Sequence, residues 1–279
     1  MASIRPQRLL LHLLIVAGCL IMVYPLLWML ASSFKPNTQI FANTSLIPQA
    51  FTLENYRIGW RGLSGNTFGR FFLNTFLLVA LNIAGTLISC SMAAYAFGRL
   101  QFALKKMWFA VMLLTMMLPF HVVVIPQYIM FNWLGWINTY LPLTVPKFFG
   151  VEAFFIFLIV QFIRSLPQEL DQAAKIDGCG PAKMYVHLIL PLTLPALATA
   201  AIFTFIWTWN DFFSQLLYLS DIKRYTVALA LRMFTDSSGD SAWGALFAMS
   251  ILSLVPVFAM FIFFQKYLIE GIAAGGVKG

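Results

Sequence analysis

Acidic side chains within long apolar stretches are the residues of this chain best suited to chemistry. Asp211 directly follows Asn210, and Trp207 lies one helical turn earlier. A carboxylate and an amide can hydrogen-bond hydroxyl groups, and an indole offers a flat apolar face, so these residues suit a hydroxyl-rich solute such as a sugar. They would equally suit a polar clasp or gate between helices. Glu152 is a similar acid, either a solute ligand or a residue at the level of the lipid headgroups.

The segment 165–191 is a second candidate site, because it is long for a simple connection and has the residue pattern of a helix. Pro167 suits a first helical turn, and Glu169 and Asp171 favour the positive end of a helix dipole. Gly178 is expected to end that helix. A short amphipathic helix of this kind either docks in the groove of a partner protein or lies on the lipid surface.

Composition places both candidate sites in a membrane protein. Of the 279 residues, 61% are hydrophobic and 10% are charged, against about 25% charged in an ordinary soluble domain. These values exclude a soluble enzyme, and three cysteines exclude a disulfide-rich secreted domain. Because lipid offers no partner to open backbone groups, the spans must be helices. The apolar stretches predict an all-α integral membrane protein with one transmembrane domain, 1–279, and six spans, at about 9–30, 71–95, 108–131, 147–164, 194–219 and 245–267.

Prolines and small residues predict how two of these spans are shaped. Pro119 and Pro126 should kink or break the third span. Gly85, Ser89 and Ala93 recur every four residues and predict close packing of the second span against another element.

Basic residues predict the orientation of the chain in the membrane. They cluster before the first span and in the short loop after the second, at Arg5, Arg8, Arg99, Lys105 and Lys106. The positive-inside rule makes that side cytoplasmic. With six spans, both termini and the segment 165–191 then face the cytoplasm, whereas 31–70 and 220–244 face outward.

The segment 165–191 also carries a recognisable motif. Gln172-Ala173-Ala174 is followed at fixed intervals by Gly178, Leu188 and Leu190-Pro191. This pattern resembles the EAA loop in the permease subunits of ABC importers, which reads Glu-Ala-Ala, three residues, Gly, nine residues, Ile, one residue, Leu-Pro. The spacing is identical throughout, with Gln172 in place of the glutamate and Leu188 in place of the isoleucine.

Shorter sequences in the same order extend the resemblance over most of the chain, to the smaller permease of carbohydrate importers, the MalG type. They are Pro25 with Ser33-Phe34-Lys35, Asn74, Ala94-Tyr95-Ala96-Phe97 with Arg99 and Phe102, Leu118-Pro119 with Pro126, Trp209-Asn210-Asp211, and Ala274-Gly275-Gly276-Val277-Lys278-Gly279.

The resemblance implies the type I ABC importer permease fold, with a short cytoplasmic coupling helix between the fourth and fifth spans. It also implies a second, different permease, two nucleotide-binding ATPase subunits and a periplasmic or extracellular solute-binding protein, in a bacterial inner membrane. ATP and Mg would be used by the ATPase subunits, because this chain has no P-loop sequence. We expect this chain to bind no cofactor, metal or nucleic acid and to catalyse no reaction itself.

By the same resemblance, site residues fall into three groups. Those coupled to the ATPase are Glu169, Asp171, Gln172, Ala173, Ala174, Asp177 and Gly178. The glycine-rich tail, with Gly275, Gly276 and Lys278, either reaches between the ATPase subunits or frays. The substrate path would include Trp207, Asn210, Asp211 and Glu152. The solute-binding protein would dock on the outward segments, with Tyr56, Trp60, Arg61 and Asp236 as candidate contacts.

Other functions stay open at this point. An importer for glycerol-3-phosphate or another polyol ester would favour Arg or Lys in the cavity, and the expected spans have none well inside. An ion-coupled secondary transporter would need several acids in the spans and usually an inverted repeat. A membrane enzyme would need a catalytic group of side chains on one face, which the pattern does not indicate.

Overall fold

A computed structural model describes residues 6–62, 64–235 and 242–276. These residues fold into α-helices joined by loops and single turns of 3₁₀ or π-helix, and they contain no β-strand. The all-α fold expected from composition is therefore confirmed. By length and composition, four helical stretches could cross a membrane, and two bent pairs of shorter helices raise the number to six if each pair is one span.

Fourteen α-helices lie in the described part of the chain. They are α1 (Pro6–Ser33), α2 (Glu54–Arg61), α3 (Phe68–Arg99), α4 (Lys105–Thr115), α5 (Phe120–Trp133), α6 (Leu141–Thr144), α7 (Ala153–Ser165), α8 (Glu169–Ile176), α9 (Pro181–Met184), α10 (Leu190–Leu192), α11 (Leu194–Asn210), α12 (Phe213–Tyr218), α13 (Val227–Met233) and α14 (Trp243–Gly276).

The expected third span, 108–131, consists of α4 and α5, which are bent by 98°. Pro119 precedes α5 in an extended conformation, with φ −62° and ψ 133°. Proline has no N–H to donate, and it disfavours the helical conformation in Leu118 before it. Pro126 lies inside α5 without ending it. The predicted break is therefore confirmed at Pro119 only.

The expected fourth span, 147–164, is interrupted near its start. A 3₁₀ turn covers Val145–Phe149, and α7 begins at Ala153. Gly150 separates them with a φ of +67°, a left-handed conformation that glycine adopts without steric cost. The expected span at about 147–164 therefore starts with this turn and continues as α7, and Leu141–Ser165 as a whole is long and apolar enough to cross a membrane.

The expected fifth span, 194–219, is also divided. α11 ends at Asn210, Asp211 adopts φ −68° and ψ 104°, and α12 begins at Phe213. The Asp211 carboxylate accepts a hydrogen bond from the backbone N–H of Ser214 at 3.0 Å, as a capping side chain does at the start of a helix. The expectation of a continuous helix to residue 219 is therefore wrong, because Asp211 satisfies the backbone of a new helix instead of extending the old one.

The helices group into two compact units, one of residues 1–69 and 230–256 and one of 70–229 and 257–279. In the second unit, α3 contributes to several apolar clusters along its length, through Leu78, Val79 and Cys90. α3 packs closely against its neighbours in this unit. A Cβ on Gly85 would lie 2.8 Å from the Phe148 ring, so the small residue is needed there, as the four-residue stripe predicted.

In the first unit, the chain after α1 folds around a buried lysine. Lys35 is 1% exposed, and its Nζ donates to the carbonyl oxygens of Asn43 at 2.8 Å and Ser45 at 2.5 Å. Asn55 on α2 donates from Nδ2 to the carbonyl oxygens of Ser33 and Lys35. These bonds tie the loop between α1 and α2 to both helices.

Candidate functional site

The helix predicted within 165–191 is present as α8. Glu169 and Asp171 lie in its first turn, where the helix dipole favours negative charge. The C-terminus closes in a Schellman motif: Cys179 N–H donates to Ala174 O at 2.9 Å, and Gly178 N–H donates to Lys175 O at 3.0 Å. Gly178 takes a φ of +75°. The backbone of α8 therefore ends sharply at the glycine that the motif contains.

α8 has one face against the protein and one exposed face. Asp171 and Ala174 are partly buried, and Ala174 packs against the apolar cluster around Cys90 and Ile159. Ile176 is 86% exposed. The other exposed coupling residues are Glu169, Gln172, Ala173, Asp177 and Gly178. The exposed surface of α8 thus combines polar groups with Ile176 and with Leu170, which is 37% exposed.

Asp171 points inward and forms an ion pair with α3. Its Oδ2 lies 3.1 Å from Arg99 Nε, and the two side chains are 14% and 6% exposed. Arg99 also donates from Nη2 to the carbonyl oxygen of Leu166 at 2.8 Å, just before α8. Sequence reasoning did not join Arg99 to Asp171. The available signal was a basic residue at the end of one span and an acidic residue in the segment expected on the same side of the membrane.

The residues of the expected substrate path lie partly together. The Trp207 ring stacks on Phe155 of α7, with 5.0 Å between centroids, and remains 46% exposed. Asn210 is exposed and donates from Nδ2 to Ile206 O, one turn earlier. Asp211 is half-buried at the break between α11 and α12. Trp207 and Asn210 therefore present open surface, whereas Asp211 also has a local capping role.

Glu152 lies at the residue before α7 and forms an ion pair with Lys147. The backbone around this pair is fixed to α3, because Ser89 Oγ donates to Lys147 O at 2.7 Å. A cation thus accompanies Glu152, one of the two acids that the sequence indicates, and the two charges are matched.

A polar clasp between helices is present one turn from Asp211, at residues that sequence analysis did not single out. Asn82 of α3 donates from Nδ2 to Thr208 Oγ1 of α11 at 3.2 Å. Gln215 of α12 donates from Nε2 to Thr208 O at 3.2 Å, and Thr226 Oγ1 donates to Gln215 Oε1. Asn82 lies in a mostly apolar stretch, and that was the sequence signal that could have found it.

The C-terminal tail is helical as far as it is described. Gly275 and Gly276 form the end of α14, and Lys278 lies outside the described residues, as does Asp236. With 34 residues, α14 is about 50 Å long, which is more than the about 30 Å needed to cross the hydrocarbon region. Among the described residues, no cluster of three His, Cys, Asp or Glu side chains could hold a metal ion.

Known transport proteins are similar to this chain in sequence. Residues 85–273 match the family model described as "Binding-protein-dependent transport system inner membrane component". The chain is 32% identical over 279 residues to the trehalose/maltose transport system permease MalG of Thermococcus litoralis, covering 98% of this chain and 99% of MalG. It is 29% identical to the sn-glycerol-3-phosphate transport system permease UgpE of Brucella abortus, covering 94% of each.

The fold matches that of a solved transporter. A chain in the crystal structure of a bacterial ABC transporter that imports the acidic polysaccharide alginate superposes with a TM-score of 0.85 at 19% identity, covering 96% of this chain and 99% of that one. The helices around α8 and α3 therefore belong to a known permease fold. On these grounds the chain belongs to the family of binding-protein-dependent transport system inner membrane components.

Proposed function

We propose that this chain is a permease subunit of an ATP-driven importer for a sugar or oligosaccharide, and that α8 couples it to the ATPase. The observation that carries the proposal is the exposed face of α8, with Gln172 and Asp177 beside the exposed Ile176. A helix lying on lipid would turn an apolar face outward. Here the outward face is mixed, as in a protein contact, and the opposite face is held by the protein.

A neutral solute fits the intramembrane residues better than an anion does. Trp207 is 46% exposed, and Asn210 three residues later in the same helix is exposed; such groups suit hydroxyls and sugar rings. Lys147 is a cation at the start of the expected fourth span, but Glu152 pairs with it. Glycerol-3-phosphate or another polyol ester is the second candidate, because a solute phosphate could compete with Glu152 for Lys147.

The proposed complex contains a second permease, two ATPase subunits and an external solute-binding protein. Both termini and α8 would face the cytoplasm of a bacterial cell. The candidate contact for the solute-binding protein is α2, which exposes Trp60 and Arg61. Tyr56 bonds to Ser33 through its hydroxyl at 2.9 Å, so it supports α2 more than it offers a contact. The length of α14 supports a contact of the tail with the ATPase subunits.

The test is reconstitution of the chain in proteoliposomes with its partner permease, ATPase and solute-binding protein. We expect maltose or another oligosaccharide, added with the binding protein, to stimulate ATP hydrolysis and to accumulate in the lumen. Stimulation by sn-glycerol-3-phosphate instead would favour the second candidate. Uptake by this chain alone, driven by an ion gradient, would contradict the proposal.

A variant of the exposed face separates docking from folding. Ile176→Asp should reduce copurification of the ATPase, because it removes the large apolar group from the proposed interface. It should leave the melting temperature of the isolated permease unchanged, since the Ile176 side chain is 86% exposed. Full ATPase recovery with Ile176→Asp would count against α8 as the docking element.

A further inference from the structure

Helix α3 binds the segment that contains α8 through three side chains spaced one helical turn apart. Ser91 Oγ and Tyr185 Oη are 2.7 Å apart. Tyr95 Oη donates to the carbonyl oxygen of Pro181 at 3.0 Å. Arg99 forms its ion pair with Asp171. Residues four apart lie on the same face of a helix, so one face of α3 is bonded to this segment over about 12 Å.

These contacts hold the chain before and after α8 as well as within it. Arg99 binds Asp171 within α8 and the Leu166 carbonyl before it. Tyr95 binds the carbonyl of Pro181, the first residue of α9, which follows the Gly178 turn. A displacement of α8 therefore has to carry the end of α3 with it or break bonds that are largely withdrawn from water.

The opposite end of α3 is bonded as well. Asn74 donates from Nδ2 to the carbonyl oxygens of Lys223 at 3.0 Å and Tyr225 at 2.8 Å. Thr75 Oγ1 accepts from the backbone N–H of Val227 at 3.0 Å. About 30 Å of helix separates these bonds from the ones to α8.

α3 is continuous where neighbouring elements are broken. It runs for 32 residues, whereas the pairs α4 with α5 and α9–α10 with α11 are bent by 98° and 74°. A continuous helix transmits displacement along its axis, while a bent pair can absorb it by changing its angle.

We propose that α3 transmits the movement of α8 to the segment 219–227 on the opposite side of the membrane. Arg99 and Tyr95 act as positioning residues in this transmission. The proposal rests on the proposed function, because it assumes that an ATPase moves α8. In this proposal Asp171 links α8 to α3 within the chain, and the exposed residues of α8 contact the ATPase. Solute access would then change when α3 shifts the segment 219–227.

The test measures coupling separately from assembly. The reconstituted complex carries wild-type chain, Arg99→Ala, Asp171→Ala, or the exchange Arg99→Asp with Asp171→Arg. Met92→Ala is the matched control, since Met92 lies on α3 beside Ser91 but is 55% exposed. The readouts are copurified ATPase, basal hydrolysis, and solute transported per ATP hydrolysed with the binding protein present.

We expect Arg99→Ala to retain the ATPase and basal hydrolysis, and we expect both Arg99→Ala and Asp171→Ala to lower solute transported per ATP by about fivefold or more. The exchanged pair should recover part of that ratio, and Met92→Ala should match wild type. An unchanged ratio in both single variants would overturn the proposal. A merely structural ion pair would lower the yield of complex and leave the ratio of the surviving complex unchanged.

A milder variant decides the case if the Arg99 variants fail to assemble. Tyr95→Phe with Ser91→Ala removes two hydroxyl groups and no packing ring, so the fold should persist. A lowered transport-to-hydrolysis ratio in this double variant would support transmission through α3, and a wild-type ratio would overturn the proposal. Failure of the proposed function looks different: wild-type complex would then show no ATPase copurification and no stimulated hydrolysis.

Discussion

At the scale of single residues, backbone conformation and burial determine the role of a residue more than its type does. Gly178 and Gly180 look alike in the sequence, but only Gly178 takes a positive φ. Lys35 and Arg57 are both basic residues of the first unit, yet Lys35 is 1% exposed and the Arg57 side chain is 61% exposed. Predictions at this scale therefore contrast residues that the sequence alone would treat as equivalent.

Gly178→Val is expected to reduce ATPase stimulation strongly, whereas Gly178→Asn should retain most of it. A left-handed conformation costs a side-chain-bearing residue about 1–2 kcal/mol, and asparagine tolerates it better than most. Space is not the reason, because a Cβ at Gly178 would meet nothing within 4 Å. Binding-protein-stimulated hydrolysis in proteoliposomes checks this, and equal activity of the two variants would contradict it.

Lys35→Met is expected to destabilise the protein by about 2–3 kcal/mol, because it leaves the carbonyls of Asn43 and Ser45 without the charged donor they now have. Arg57→Met is the matched control. It breaks the exposed pair with Glu54 and should cost less than about 1 kcal/mol. Thermal unfolding in detergent measures both, and similar melting temperatures would refute the contrast.

At the scale of elements, the breaks in the spans follow from local backbone bonding. Pro119, which lacks an N–H donor, separates α5 from α4, and after α11 the Asp211 carboxylate accepts from Ser214 N–H in the first turn of α12. Proline breaks can be predicted from sequence, since the ring acts wherever it stands. The break at Asp211 could not be predicted from the sequence. An acid in an apolar stretch has the same sequence signal whether it binds solute, holds a neighbouring helix or caps the next one.

Asp211→Asn should preserve the break, and Asp211→Ala should weaken it. Asparagine retains a side-chain oxygen that can accept from Ser214 N–H, while alanine loses the cap at a cost of about 0.5–2 kcal/mol. If Asp211 is also a solute ligand, the Asp211→Asn variant should be as stable as wild type but transport sugar more slowly. Melting temperature and uptake measured on the same preparations separate the two roles, and a marked loss of stability in Asp211→Asn would contradict the capping assignment.

At the scale of the whole molecule, orientation is the property on which the proposed function depends. The three cysteines of the chain differ in surroundings: Cys90 is buried, Cys179 is half-buried after α8, and Cys19 is exposed on the apolar helix α1. They provide native probes for the side of the membrane on which α8 lies.

A membrane-impermeant maleimide should label Cys179 in inside-out vesicles and not in intact spheroplasts. Cys90 should stay unlabelled because it is buried, and Cys19 because a polar reagent does not enter the hydrocarbon region. Cys179→Ser should abolish the signal, which identifies its source. Labelling of Cys179 from the outside would reverse the topology and remove the ATPase contact from α8.

The sequence by itself determined the fold class and the existence of α8. Each depends on information within one segment: apolar length, capping residues, and the motif spacing from Gln172 to Pro191. Such features act through bonds between residues a few positions apart, so they can be read along the chain.

Only the tertiary structure decided which residues face each other. The inward turn of Asp171 toward Arg99, the clasp of Asn82 with Thr208, and the bond from Ser89 of α3 to the Lys147 carbonyl depend on how the helices are packed. Side chains separated by dozens of residues carry no mutual signal in a single sequence. Their contacts follow from the burial of polar groups in a place where water cannot satisfy them, and that place exists only once the helices have assembled.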